Sequence, residues 1–178
     1  MQDVLVVAMY LNTFLRHANS VKMANMAQLV NVIAPMMVTN DKLWKQTIYY
    51  PLQLFSKNCH GQSLETFIQC DKYDAGDYKQ IPYLDVSNVY NDKTQELVIN
   101  VVNRHQDKAI ETTINNQFGK LAGKAIVSEI NSAAINDENS VNEQKVKTME
   151  KTISTSGDNF TYTFPPHSFT QLRIKLTL

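Results

Sequence analysis

Two glutamates in one polar segment are the side chains best suited to acid–base chemistry. If Glu138 and Glu143 worked as a pair, one carboxyl group would donate a proton while the other carboxylate accepted one or attacked as a nucleophile. A catalytic glutamate needs a walled site that tunes its pKa and excludes bulk water. Both glutamates lie in a polar run without flanking apolar strand residues, so we expect two ordinary carboxylates rather than a site.

The other reactive side chains do not form a recognisable constellation. The four histidines share no metal-ligand spacing and the five glycines are not clustered, so we predict neither a metal nor a nucleotide cofactor. Cys59 and Cys70 match no metal motif and are expected to be packed or half-exposed thiols. Asn103–His105 ends a predicted strand, and we expect Arg104 to brace neighbouring loops through its fork of donors.

Composition indicates a folded globular chain without strong charge. Hydrophobic residues make up 43% and charged residues 19% of the 178 residues. Lysine plus arginine and aspartate plus glutamate number 17 each, so no general electrostatic attraction to nucleic acid or to an anionic membrane is expected. No uninterrupted apolar segment is long enough to cross a bilayer.

The first part of the chain alternates helix, strand and helix. Asp3 is placed as the N-cap of a first helix that is apolar on every face, a pattern typical of a helix inside a larger protein. We predict a short buried strand over Val21 to Ala27 and a second helix over Pro51 to Cys59, with Gly61 just past its end. Residues 1–62 therefore resemble the closing units of a (β/α)8 barrel, and we expect the chain to be part of a longer protein.

From residue 63 to residue 178 the apolar pattern has a period of two, which predicts an antiparallel, jelly-roll-like β-sandwich. The polar run from Ser132 to Lys147 is expected to be a solvated loop. The predicted strands are Leu64 to Gln69, Tyr83 to Val89, Glu96 to Asn103, Ala109 to Ile114, Lys124 to Ile130, Phe160 to Phe164 and Phe169 to Leu176.

An ordered series of motifs resembles glycoside hydrolase family 51, the α-L-arabinofuranosidases. Val21 to Pro35, with the sequence VKMANMAQLVNVIAP, is followed by Trp44 to Pro51, WKQTIYYP. Leu11 to Ala18 resembles the helix before the last barrel strand. Val101 to His105 and Pro165 to Thr170 resemble strands of the C-terminal sandwich of that family. The resemblance runs nearly end to end and is weakest across the polar loop.

The resemblance implies a fold and an activity for the whole enzyme. The family pairs a catalytic barrel with a β-sandwich and removes terminal α-L-arabinofuranosyl groups from arabinan- and arabinoxylan-type glycans with retention, using two glutamates on barrel strands. Those strands are expected upstream of this chain, which would support the barrel without being catalytic alone. Asn142-Glu143 and Asp137-Glu138 match parts of the family's catalytic motifs. Both fall in the sandwich half, so we interpret them as chance matches.

Gln28 is the candidate substrate-binding residue. It occupies the position at which the family uses a glutamine to contact bound arabinose, and an amide can donate and accept hydrogen bonds to sugar hydroxyls. This role is expected only in a complete barrel. Trp44, Tyr49 and Tyr50 could form a sugar-stacking platform, but their place at the entry of the last barrel helix favours packing.

Two non-enzymatic interpretations stay open. A carbohydrate-binding sandwich would need three aromatic side chains along one surface, and Tyr73, Tyr78, Tyr83 and Tyr90 are the candidates. An assembly module is the other interpretation. The family adds a strand from before the barrel to the sandwich, and without that strand an open edge favours a homo-oligomer or capture of a chain terminus. The cellular compartment, the glycosidic linkage and the preferred substrate length are left open by the sequence.

Overall fold

The computed structural model describes residues 1–155 and 157–177. Antiparallel strands dominate and two helices accompany them, in agreement with the predicted mainly β fold. In chain order the elements are α1 (Gln2–Arg16), β1 (Met36–Val38), β2 (Leu43–Lys45), α2 (Tyr49–Asn58), β3 (Gln62–Leu64), β4 (Lys72–Ala75), β5 (Tyr78–Pro82), β6 (Leu84–Asn91), β7 (Glu96–Asn103), β8 (Ile110–Asn115), β9 (Lys120–Asn131), β10 (Lys147–Ser154), β11 (Asn159–Phe164) and β12 (Ser168–Thr177).

A six-stranded antiparallel sheet is the centre of the fold. Its strand order is β10-β9-β12-β7-β6-β3, so the last strand of the chain lies between β9 and β7. Successive side chains of each strand point to opposite faces, and both faces of this sheet are covered. The two-stranded sheet β8–β11 faces it on one side, which forms the sandwich. The cluster between these layers includes Val86, Ile99, Val127, Phe164 and Leu172.

The two helices cover the opposite face of the six-stranded sheet. Val4 and Ala8 of α1 and Phe55 of α2 form one cluster with Val102 and Phe169 of the sheet. The first helix is therefore not left uncovered, as the sequence alone suggested, because the sheet buries one of its sides. Its other side still presents apolar groups to solvent. The predicted N-cap is wrong by two positions, since α1 begins at Gln2 and Asp3 lies in its first turn.

The predicted strand over residues 21–27 is not formed. This segment has no regular structure, and nearly all of it is exposed. A strand exists only when its N–H and C=O groups pair with a neighbour, and none of the described residues pairs with this segment. Both helices of the helix–strand–helix pattern are present, and α2 begins at Tyr49, two residues before the predicted start. The hairpin β1–β2 follows the irregular segment. The boundary at residue 62 stays a prediction.

In the sandwich part, most predicted strands are confirmed within a few residues, and β7 matches its prediction at both ends. The predicted strand 64–69 is wrong beyond Leu64, because only β3 pairs with β6. Strand β10 was missed, since its polar residues fit a sheet edge as well as a loop. The hairpin β4–β5 was missed for the same reason, because most of its residues are exposed.

The polar run before β10 contains two buried residues, Asn139 and Val146. Val146 is fully buried, and the Asn139 side chain exchanges hydrogen bonds with its backbone, at 2.7 Å to the carbonyl and 2.9 Å from the N–H. Asn139 also donates to the carbonyl of Lys45 at 3.1 Å. These bonds attach the loop to β2, whereas most of its other residues are exposed, as predicted. Hydrogen bonds from an asparagine side chain to the backbone take the place of strand pairing here. Such bonds leave no periodic pattern in the sequence.

Gly61 is a position where the fold requires a residue without a side chain. A Cβ added there would lie 2.1 Å from the backbone oxygen of Tyr90, and its φ is 131°. We predict that Gly61→Ala lowers the free energy of unfolding by about 2–3 kcal/mol, because the backbone of β6 has to move. Gly76→Ala is the matched control, since its φ is also positive but nothing lies within 4 Å of an added Cβ. Urea unfolding should show the larger loss for Gly61→Ala, and equal losses would contradict the close approach.

Candidate functional site

Gln28 lies in an exposed loop that follows α1. Its φ is 60°, and Asn31 and Val32 also adopt positive φ values, of 62° and 60°. The loop is nevertheless held in shape, because Asn31 donates its N–H to the carbonyl of Met36 at 2.8 Å and its side chain accepts the N–H of Val38 at 2.7 Å. The Gln28 amide makes no hydrogen bond to any residue that the structure describes. It is therefore free to contact a ligand or another domain.

The same loop displays an unusual number of apolar side chains to solvent. Met23 and Val32 are 77% and 76% exposed. A β-branched residue at positive φ is disfavoured, and here it is neither buried nor packed within the described residues. We call residues 21–33 the apolar loop. Its exposed large hydrophobic side chains are Met23, Met26, Leu29, Val30, Val32 and Ile33.

Glu138 and Glu143 do not form an acid–base pair in this structure. Both are exposed, and Glu143 lies 3.6 Å from the ammonium group of Lys145. The neighbouring Asp137 accepts the N–H of Ala134 at 2.9 Å, and this hydrogen bond lowers the pKa of its carboxyl group. Neither glutamate is among the residues that line the groove between the two sandwich layers. Solvated carboxylates of this kind lack the enclosure that proton transfer to a substrate requires.

A buried carboxylate that the sequence did not single out joins α1 to the sheet. Asp85 of β6 is 6% exposed and pairs with the guanidinium groups of Arg16, at 3.1 Å, and Arg104. Asn12 of α1 donates to the same carboxylate at 2.7 Å. Arg16 also donates to the carbonyl of Val86 at 2.8 Å. We call Asp85, Asn12, Arg16 and Arg104 the Asp85 clamp, and it holds the C-terminal end of α1 where the loop with Gln28 begins.

A row of buried polar side chains continues from the clamp across the sheet. Ser87, Asn100 and Gln171 lie side by side on β6, β7 and β12 and are fully buried. Gln171 donates to Asn100 at 2.8 Å, and Asn100 donates to Ser87 at 3.2 Å. Ser87 donates to Asn12 of α1 at 2.6 Å, and Asn58 at the end of α2 donates to Gln171 at 2.5 Å. The row fixes both helices against one register of the sheet, since any shift would leave buried groups unpaired.

The predicted bracing role of Arg104 is confirmed. Its guanidinium group donates to the carbonyl of Pro82 at 2.7 Å in addition to its pairing with Asp85. The adjacent Asn103 donates to the carbonyls of Phe164 and Pro165, at 3.1 and 2.8 Å. These two neighbours tie the end of β7 to three other segments. A turn network of side-chain-to-backbone bonds explains both residues without a role in binding.

An open groove of about 1740 Å³ separates part of the two sandwich layers. Aliphatic and aromatic side chains such as Val86, Ile99 and Phe164 line it. One wall is the irregular segment 65–70, and the other is β8, whose only strand partner among residues 1–155 and 157–177 is β11. One edge of β8 therefore offers unpaired backbone groups beside an apolar cleft. The sequence did not reveal this groove, because each of its walls is an ordinary apolar surface.

Trp44 and the two tyrosines at the start of α2 serve packing, as expected. Tyr50 is buried, and its hydroxyl donates to Gln144 at 3.1 Å. Tyr49 stands edge-on to Tyr50 with ring centroids 5.6 Å apart, and the ammonium group of Lys45 lies 4.5 Å from the centre of the Tyr49 ring. Trp44 is half-buried in the hairpin β1–β2.

Both cysteines are free and half-buried, in agreement with the prediction. Burial raises the pKa of the Cys59 thiol to about 11, although a hydrogen bond with Asn100 acts in the opposite direction. A thiol with so high a pKa is protonated at neutral pH and a poor nucleophile. In the described part of the chain, no three His, Cys, Asp or Glu side chains come together to hold a metal ion. Within the same residues, neither helix is long and apolar enough to span a membrane.

Comparison with known sequences gives a consistent result. The α-L-arabinofuranosidase C-terminal domain matches residues 1–168. A probable α-L-arabinofuranosidase C of Aspergillus terreus is 36% identical over 182 residues, which covers 98% of this chain and 34% of that protein. An intracellular exo-α-(1→5)-L-arabinofuranosidase of Bacillus subtilis is 34% identical over 178 residues, which covers 98% of this chain and 35% of the relative. The chain thus spans about a third of the length of these relatives.

Solved structures support the fold. The arabinose complex of α-L-arabinofuranosidase from Thermotoga maritima matches with a TM-score of 0.87 at 23% identity, over 98% of this chain and 38% of that one. The family 51 arabinofuranosidase of Xanthomonas axonopodis matches with the same TM-score and identity over 97% of this chain. The sequence match over residues 1–168 and the shared fold agree. The chain belongs to the family of α-L-arabinofuranosidase C-terminal domains.

Proposed function

We propose that this chain supports the catalytic barrel of an α-L-arabinofuranosidase and does not catalyse hydrolysis by itself. In the whole enzyme, two glutamates outside these residues would remove terminal, non-reducing α-L-arabinofuranosyl groups from arabinan- or arabinoxylan-type glycans with retention. One glutamate would protonate the glycosidic oxygen while the other formed the glycosyl-enzyme. This chain would supply the surface against which the barrel folds.

The apolar loop is the observation that carries this proposal. A folded domain rarely exposes so many neighbouring large hydrophobic side chains unless another protein surface covers them. Hydrogen bonds near Asn31 and Pro35 hold the C-terminal end of the loop, where Val32 and Ile33 are exposed. An apolar surface of this kind suits a permanent interface within one protein. The barrel domain is the partner that we propose for it.

Gln28 would then be a substrate-binding residue of the assembled enzyme. Its position within the apolar loop would bring it to the domain boundary, and its unpaired amide could bind a hydroxyl group of the arabinose. In the isolated chain it faces solvent. We therefore assign it to the whole enzyme and not to this chain alone. The boundary between barrel residues 1–62 and sandwich residues 63–178 belongs to the same proposal.

The open groove fits a second contact with the rest of the enzyme. A strand from another segment could pair with the free edge of β8 and place its apolar side chains in the cleft. In the absence of that strand, the same edge favours association of two copies of this chain. A homo-oligomer of the isolated chain is therefore part of the proposal.

Hydrolysis of a chromogenic α-L-arabinofuranoside tests this function directly. We expect no turnover from the purified chain. Its candidate glutamates Glu138 and Glu143 are exposed to solvent, whereas a catalytic carboxyl group has to be enclosed beside the substrate. The Bacillus subtilis enzyme serves as the positive control. Turnover that disappears in Glu138→Gln or Glu143→Gln would show that the polar loop is catalytic and would overturn the supporting role.

A further inference from the structure

Three aromatic rings form a row at the surface beside the hairpin β4–β5. The ring of Tyr83 lies between those of Tyr73 and His105, with centroid distances of 4.7 Å on each side. The interplanar angles are 25° and 30°, so the three rings are nearly parallel. All three side chains are half-buried. We propose that this aromatic row is a binding site for a neutral glycan.

The backbone holds the row in place before any ligand binds. Tyr83 donates its N–H to the carbonyl of Asp71 at 3.0 Å and accepts the N–H of Arg104 at 2.8 Å. Tyr73 is paired with Ile81 in the hairpin. Arg104 belongs to the Asp85 clamp, so the row is connected to the buried part of the sheet. A ligand would therefore bind rings that are already ordered, which reduces the entropy lost on binding.

The polar ends of the three rings are available to a ligand. Neither the Tyr73 hydroxyl nor the Tyr83 hydroxyl hydrogen-bonds to any residue in 1–155 or 157–177. The Nδ1 atom of His105 accepts the N–H groups of Asp107 and Lys108, at 3.2 and 3.1 Å. A nitrogen that accepts carries no proton, so the ring proton is on Nε2, which has no partner among the same residues. Because Tyr83 is stacked on both sides, the row offers a ligand the outer faces of the Tyr73 and His105 rings and three free donors at the ring edges.

This combination suits a sugar better than other ligand classes. The C–H faces of a sugar pack on aromatic rings, while its hydroxyls take the donors that the ring edges provide. Charged residues of both signs adjoin the row along the chain, namely Asp71, Lys72, Asp107 and Lys108, and their charges balance, so they select neither an anionic nor a cationic ligand. Single-stranded nucleic acid also stacks on aromatic rings, but its binding depends on a net positive surface, which these balanced charges do not provide.

Access to the row does not depend on the groove being open. Tyr83 and His105 lie at one end of the groove, whereas Tyr73 is outside its lining. A strand that filled the groove would leave the hairpin side of the row uncovered. Tyr78 adds a further exposed aromatic ring on the same hairpin. Of the four tyrosines considered from the sequence, Tyr90 is buried and does not contribute.

Affinity electrophoresis of the full 178-residue chain tests the site, with arabinan, arabinoxylan or dextran as the polymer in the gel. Only the choice of arabinose-containing polymers rests on the proposed function. We expect retardation by at least one polymer and a binding constant about tenfold weaker for Tyr73→Ala. Tyr83→Phe keeps the ring and its packing and removes one donor, so about threefold weaker binding is expected. Tyr10→Ala is the matched control, because Tyr10 is an exposed tyrosine on α1.

The outcomes separate this site from the supporting role. Unchanged mobility in all three polymers would overturn the glycan site and leave the hydrolysis result unaffected. Retardation that survives both Tyr73→Ala and Tyr83→Phe, or that Tyr10→Ala weakens equally, would also overturn it, because binding would then lie elsewhere. Retardation by dextran as strong as that by arabinan would support a glycan site without arabinose selectivity. Circular dichroism of each variant confirms that the fold is retained.

Discussion

Replacing Asp85 with alanine is expected to lower the free energy of unfolding by about 3–5 kcal/mol. The carboxylate is 6% exposed and is the shared acceptor for Arg16, Arg104 and Asn12. Without it, two guanidinium groups would lie close together at the C-terminal end of α1. Their repulsion and lost hydrogen bonds have no compensation from water in the mostly buried part of the clamp. Urea unfolding followed by circular dichroism measures the change.

Asp74→Ala is the matched control for the Asp85 prediction. Asp74 also forms an ion pair, with Lys79 at 3.5 Å, but both side chains are largely exposed. An exposed pair contributes less than about 1 kcal/mol, so this variant should unfold almost like the original chain. Equal losses from Asp74→Ala and Asp85→Ala would show that the clamp does not hold α1 in solution.

Phe169→Ala is expected to cost about 3–5 kcal/mol of the free energy of unfolding. Phe169 of β12 is fully buried, and its ring stacks on that of Phe55 in α2 with centroids 5.4 Å apart. Its removal leaves a cavity between the sheet and both helices, which share this cluster. The surrounding side chains can fill such a cavity only in part because the polar row fixes the register of the helices. Chemical unfolding of the variant measures the loss.

Phe67→Ala provides the comparison for the Phe169 prediction. The Phe67 side chain is 90% exposed, so its removal should change the free energy of unfolding by less than about 0.5 kcal/mol. If Phe169→Ala were equally mild, the helices would not be packed on the sheet in solution. The same result would weaken the supporting role, since the apolar loop would then lack a fixed base.

The clamp, the helices and the proposed function are connected through the chain itself. α1 ends at Arg16, within the clamp, and the loop that carries Gln28 follows directly. The ion pairs with Asp85 therefore set the place from which the loop departs. In the whole enzyme, this would position Gln28 relative to the barrel. The buried polar contacts of the clamp thus fix the start of the segment that carries the exposed apolar loop.

Local sequence patterns were sufficient to predict those elements that are defined by their own residues and by the turns beside them. β7 was predicted at both ends because its apolar run is bounded by polar turns, and the second helix was recognised from Pro51 and Gly61. The bracing role of Arg104 also followed from sequence, since a guanidinium group at a strand end has several carbonyls within reach. The family resemblance rested on motifs spread over both halves of the chain, which made it specific.

The tertiary structure decided whatever depends on a partner distant in sequence. Residues 21–27 have strand-like composition but no neighbouring strand, whereas the polar β10 forms a strand because β9 pairs with it. Asp85 looked like an ordinary strand residue until folding placed it between Arg16 and Arg104, residues 69 and 19 positions away. The aromatic row likewise needed β4, β6 and β7 to come together. Hydrophobic period is a local property, but pairing, burial and stacking depend on which segments meet.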